Sequence, residues 1–138
     1  MDQQDFDFAL EHVRGRVAKH QRDGVSLDAE KDNLQSELVD LRKSAPGRSN
    51  QSDEKAKLRR KIFAKKAECE YALGQQIAAK ELEKKLADAT AIDAQELVRA
   101  FANEPFPADL YPTGSANVLI GYYEELSDLA KKLTNSGR

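Results

Sequence analysis

Apolar side chains recur along this chain at helical intervals, and the register changes in only a few places. Phe6, Leu10, Val13 and Val17 are four, three and four residues apart, which lays one stripe on a helix over 5–22. Asp23-Gly24 interrupts the stripe, and Ser26 with Asp28 just beyond it has the form of a helix start. The seven-residue register nevertheless passes through the interruption. Phe6, Val13, His20, Leu27, Leu34 and Leu41 form one series, and Leu10, Val17, Gly24, Lys31 and Leu38 form its partner. Either the helix runs through Gly24 with a weak point, or two helices lie nearly collinear.

Residues 44–53, with a proline, a glycine, an asparagine and three serines, read as a loop. Ser52 is a cap candidate for the next helix, with Asp53 and Glu54 in its first turn. Over 54–89 there is no proline, and Leu58, Ile62, Cys69, Leu73, Ile77, Leu82 and Leu86 fall mostly three, four or seven apart. The stripe slips near 77–82, as it does when a helix changes packing partner. At 1.5 Å per residue, residues 5–44 span roughly 60 Å and 54–89 roughly 54 Å. Two arms of similar length joined by one loop predict a long, coiled-coil-like antiparallel hairpin over 1–89, with 44–53 at its tip.

The remainder, 90–138, reads as a helical pair. Thr90 or Asp93 starts a helix whose apolar face is Leu97, Val98 and Phe101, with Asp93 and Glu96 as a looser form of the capping box. The stretch 104–115 holds three of the four prolines and connects it to a last helix. Ser115 is the expected cap. Leu119, Tyr122, Leu126, Leu129 and Leu133 then form a 3-4-3-4 stripe that ends near Asn135 and Gly137. The predicted fold is all-α, with both short helices packed at the base of the hairpin.

Composition agrees with this pattern. Nineteen alanines and fifteen leucines among 138 residues, with few β-branched residues, make a good helix former and a poor sheet former. No run approaches the length and apolarity of a membrane span. The acidic start MDQQDFDFAL lacks the features of a signal peptide, and the single cysteine, Cys69, fits a reducing compartment; a cytoplasmic location is expected.

Charge changes the picture more. The net −2 is unevenly distributed. Residues 1–41 carry 5 bases and 10 acids, 42–66 carry 10 bases and 2 acids, and 67–138 carry 7 bases and 12 acids. The basic block comprises Arg42, Lys43, Arg48, Lys55, Lys57, Arg59, Arg60, Lys61, Lys65 and Lys66. On the predicted hairpin these lie at the tip and the turns beneath it, where they form a candidate surface for nucleic-acid phosphates. The alternatives are an acidic protein partner and a solvated surface paired with Glu37, Asp40, Glu68 and Glu70. Phe63 is the only aromatic from 42 to 66, which gives little support to stacking on bases. Over about residues 27–88 the basic-tipped hairpin resembles the tRNA-binding arm of seryl-tRNA synthetases in shape and charge, although no synthetase motif occurs. The resemblance implies that such a tip meets RNA.

Candidate chemistry is sparse. His12 and His20 are eight apart without further ligands at metal spacing, so no metal and no cofactor is expected. His20 falls on the seam as a packed or register-setting residue, and Cys69 lies on a helical stripe as a small hydrophobe. Glu124 and Glu125 read as solvent-side carboxylates. With no convergent His, Ser or Cys constellation, no enzyme is expected. Five of nine aromatics lie in the last 38 residues; Tyr122 reads as core, while Phe106, Tyr111 and Tyr123 are protein-docking candidates, although a thin core favours Phe106, Leu110 and Tyr111 as a plug at the base of the hairpin. Polar seam positions at His20, Gly24, Lys31 and Gln76, and the narrow core of a long hairpin, predict a homo-oligomer. The expected role is that of an accessory or regulatory protein that binds nucleic acid, or acts as an adaptor, chaperone or inhibitor on a protein; a purely structural oligomer is the third reading.

Overall fold

Four helices follow one another in a computed structural model that describes residues 1–44, 49–103 and 116–135. They are α1 (Gln3–Ser44), α2 (Ser49–Ala87), α3 (Ala91–Phe101) and α4 (Ala116–Asn135). No strand occurs among the described residues. The first two pack along each other as the long hairpin, about 63 and 58 Å in length at helical rise.

Helix α1 is unbroken through Asp23-Gly24. Of the two readings of the sequence, the continuous helix is the one observed, and Ser26 is an exposed mid-helix residue rather than a cap. The heptad that continues across the interruption keeps α1 against α2, and that packing outweighs the glycine's poor propensity. A Cβ added at Gly24 meets nothing within 4 Å. Gly24→Ala is therefore expected to stabilise the fold, by about 1 kcal/mol at most. A lower midpoint in thermal unfolding followed by circular dichroism would contradict a regular helix at this point.

Helix α2 starts at Ser49, so Ser52, Asp53 and Glu54 lie within the helix and no acid occupies its first turn. Of the loop expected over 44–53, only 45–48 remain unassigned, and they lie outside the described residues. At its other end α2 stops at Ala87. Thr90 then caps α3, its hydroxyl accepting from the Asp93 backbone N–H at 3.4 Å and donating to the Asp93 carboxylate at 3.1 Å.

The core sits in the lower part of the hairpin. Ala9, Val13 and Val17 of α1, Ala78, Ala79, Leu82 and Leu86 of α2, Ala94, Val98 and Phe101 of α3, and Val118, Tyr122, Leu126, Leu129 and Leu133 of α4 form one buried cluster. Ala78 and Ala79 are consecutive and both fully buried, which requires two covered faces on α2. The slip of the stripe near 77–82 falls within the stretch where α2 packs against both α1 and α4. α3 closes the base, as expected of both short helices. α4 reaches further: its first turns lie beside Tyr71 and Gly74, about 20–25 Å above the end of α2. The lower part of the molecule is thus a three-helix bundle capped by α3, and above it only α1 and α2 continue as a two-helix arm.

Two glycines set the distance between α2 and α4. A Cβ on Gly74 would lie 1.9 Å from the Val118 carbonyl oxygen, and one on Gly121 would lie 2.1 Å from that of Tyr71. The backbones touch at this crossing, which no larger residue permits.

Candidate nucleic-acid interface

The arm is a thin pair of helices. Among its described residues, from Arg22 to Lys43 and from Ser52 to Tyr71, Leu38 is the only buried one. Leu27, Leu34, Leu41, Leu58 and Ile62 occupy the seam and are half-buried, because each faces one neighbouring helix instead of two.

The two helices of the arm carry opposite charge. From 23 to 41, α1 has six acids and one base; from 52 to 66, α2 has seven bases and two acids. The cations therefore line one helix of the arm along its length as well as its tip. Arg42, Lys43, Lys57, Arg59, Arg60, Lys61 and Lys66 are exposed, and Lys55 is half-buried. Arg48 lies outside the described residues.

Pairing with the acidic helix involves one of these side chains. Lys65 Nζ lies 2.7 Å from Glu30 and 2.9 Å from Glu68, and hydrogen bonds to these two carboxylates raise its pKa. Among the described residues no ion pair joins any other cation of the set to a carboxylate, and Glu37 and Asp40 have none either. The charges of α2 are offered to solvent and not neutralised by α1.

On one face of the arm the seam opens into a groove of about 430 Å³. Val39, Ile62 and Phe63 form its apolar part, and Arg42, Arg59 and Lys66 surround it. Phe63 is 76% exposed. Lower on the arm, Lys66 also borders a second groove lined by Val25, Asp28, Lys31, Glu70 and Leu73.

A buried ionic contact lies where the arm meets the bundle. Glu125 of α4 is fully buried, which corrects its reading as a solvent-side carboxylate. It occupies the series Val118, Tyr122, Glu125, Leu129, whose spacing of four, three and four places it on the packed face. Arg16 grips it in a bidentate contact, Nε to Oε2 at 3.0 Å and a terminal nitrogen to Oε1 at 2.6 Å. His20, also fully buried, donates from Nε2 to Oε2 at 2.8 Å, and its Nδ1 has no partner. Burial opposes ionisation of Glu125, but the hydrogen bonds from Arg16 and His20 prevail and hold its carboxyl below the ordinary value. His20 is thus the packed seam residue that the heptad indicates, and its partner is a carboxylate from a third helix. Glu124, next in sequence, is exposed and accepts a hydrogen bond from the Tyr71 hydroxyl, whose pKa is pushed up to about 12.

The other singled-out residues do not converge. His12 stacks on Phe8 with ring centres 6.0 Å apart; burial, together with Lys132 and Arg16, lowers its pKa. Cys69 is partly buried, and burial followed by a hydrogen bond with Asp28 pushes the thiol up, away from a reactive thiolate. Tyr123 is 44% exposed with its ring edge-on to the buried Tyr122. Phe106 and Tyr111 lie outside the described residues. No group of three or more His, Cys, Asp or Glu side chains is placed to hold a metal among the described residues, and no described helix is long and apolar enough to cross a membrane. This chain matches no protein-family model, no curated protein and no solved structure.

Proposed function

We propose that this chain is a non-enzymatic binding protein whose two-helix arm engages the phosphates of a nucleic acid. One observation carries the reading. Seven exposed basic side chains on the arm, Arg42, Lys43, Lys57, Arg59, Arg60, Lys61 and Lys66, form no ion pair with any described residue. Each is free to displace condensed counterions from a polyanion, and that release drives such binding. The division of labour follows from the fold: the bundle fixes α1 and α2 at the base, and the arm carries the charge away from the acidic body. Because the cations lie around α2 and not on one face, the contact is electrostatic and tolerant of sequence.

Changing Arg59, Arg60 and Lys61 together to Gln is expected to weaken binding to any nucleic acid by a similar factor. It is also expected to reduce the slope of log affinity against log salt by about 2–3. Changing all three to Glu is expected to abolish the complex. A mobility-shift series at about 50 mM salt in which the Glu variant retards nucleic acid as the parent does would overturn the reading.

A second reading rests on a different part of the arm. Val25, 72% exposed, and Leu73, 44% exposed, line the lower groove. A helix of a protein partner or of a second copy laid there would cover them. Retention of a partner at high salt distinguishes this from phosphate binding.

A further inference from the structure

We infer that the nucleic acid bound by the arm is single-stranded, with a base stacked on Phe63 in the upper groove and its flanking phosphates held by Arg59 and Lys66. This rests on the phosphate-binding reading and specifies its substrate class.

Phe63 is the starting point. A phenylalanine three-quarters exposed on a helix contributes little to the core, and this one lies off the seam that Leu38 and Ile62 occupy. Its ring is an open apolar surface at the wall of a groove. Arg59 stands one turn toward the tip and Lys66 one turn toward the base, about 6 Å and 4.5 Å away along the helix axis. A base on the ring thus has a cation on either side for the phosphates before and after it. Arg42 comes across the groove from α1 as a third cation. Among the residues lining this groove there is no acid.

Stacking needs a base face that is free, which a duplex does not offer and a single strand does. Charge argues against the main rival occupant, an acidic amphipathic helix. Such a helix continues along the same face past Lys66, where Asp28 and Glu70 stand against Lys31 and Lys66 and the lower groove offers it no net positive charge. One or two nucleotides cover the acid-free end alone.

The test measures anisotropy of a labelled oligo-deoxythymidine strand and of a labelled mixed-sequence duplex of the same length, at one salt concentration. The full chain is compared with its Phe63→Ala, Phe63→Leu and Phe63→Trp variants. The parent is expected to prefer the single strand. Phe63→Ala and Phe63→Leu are expected to lose about tenfold on the single strand and little on the duplex, while Phe63→Trp retains the preference. Circular dichroism is expected to show unchanged helicity, since the side chain is mostly in solvent.

Equal losses on both probes, or no loss on either, would overturn the stacking inference and leave phosphate binding standing. Failure of both probes to bind the parent would overturn both readings. A shift in self-association on Phe63→Ala, seen by light scattering, would assign the groove to a second copy instead.

Discussion

Replacing Gly121 with alanine is expected to destabilise the protein strongly, although alanine is the better helix former by about 1 kcal/mol. The added Cβ falls 2.1 Å from the Tyr71 carbonyl oxygen and 2.9 Å from its carbonyl carbon. These are backbone atoms, so no rotamer change relieves the overlap. α4 has to move away from α2, and it takes with it Val118, Tyr122, Leu126, Leu129 and Leu133, a third of the buried cluster. Overpacking ordinarily costs about 1–3 kcal/mol, and the upper end applies where backbone meets backbone. For a chain of this size that is a fall in Tm of roughly 10 °C. Gly74→Ala, with 1.9 Å to the Val118 carbonyl oxygen, is expected to do the same. Gly24→Ala is the internal control, being the same substitution within a helix of the same protein with the opposite sign. Thermal unfolding of the three variants side by side checks the crossing; a neutral Gly121→Ala would mean that α4 does not lie against α2 as described.

The second large effect concerns Glu125. Glu125→Ala leaves His20 fully buried and Arg16 mostly so, both without their acceptor. Removing one partner of a buried ion pair costs about 3–5 kcal/mol. Arg16, whose side chain is 28% exposed, has a route to solvent, so the lower end of that range is expected.

Acid unfolding provides a separate signature. The folded-state pKa of Glu125 lies below its ordinary value of 4.5. Its stabilising contribution is therefore complete above pH 4.5 and is lost as pH falls through the lower folded value. Glu125→Gln, which keeps the shape without the charge, is expected to reduce stability at neutral pH and to flatten this acid limb. Urea unfolding at several pH values reads both quantities. An unaltered acid limb in the Gln variant would show that the carboxylate is not ionised against Arg16 and His20.

Much of this architecture is legible in the sequence, for a physical reason. Long helices that pack along their length repeat the same local requirement every seven residues. The series from Phe6 to Leu41 therefore carries the register past Gly24, but it fits one continuous helix and two collinear ones equally, and the choice between them is read only from the structure. Ser52 with Asp53 and Glu54 has the composition of a helix start, yet Ser49 begins α2, so composition alone sets the boundary too late.

Contacts between helices distant in sequence were harder to read. Glu125 looked like the neighbour of an exposed glutamate until the series Val118, Tyr122, Glu125, Leu129 is traced; a carboxylate on a packed face implies a cation opposite, and His20 on the other seam was the available signal. Gly74 and Gly121 left no such sign, since a glycine in a helix announces neither a close crossing nor its partner. The separation of charge between the helices of the arm is legible in the sequence, because residues 1–41 are acidic and 42–66 basic and a hairpin sets the two side by side. That Phe63 faces solvent and not the seam depends on which side of α2 meets α1, and periodicity gives that only to within a turn.

The measurement that bears most directly on the binding role is a salt titration of the full chain against a labelled nucleic acid, followed by anisotropy. If the arm acts through its exposed cations, log affinity falls linearly with log salt, at about −0.7 per contacted phosphate on a single strand and −0.9 on a duplex, with a total slope of several units. Absence of binding at about 50 mM salt, or an affinity indifferent to salt, would contradict it.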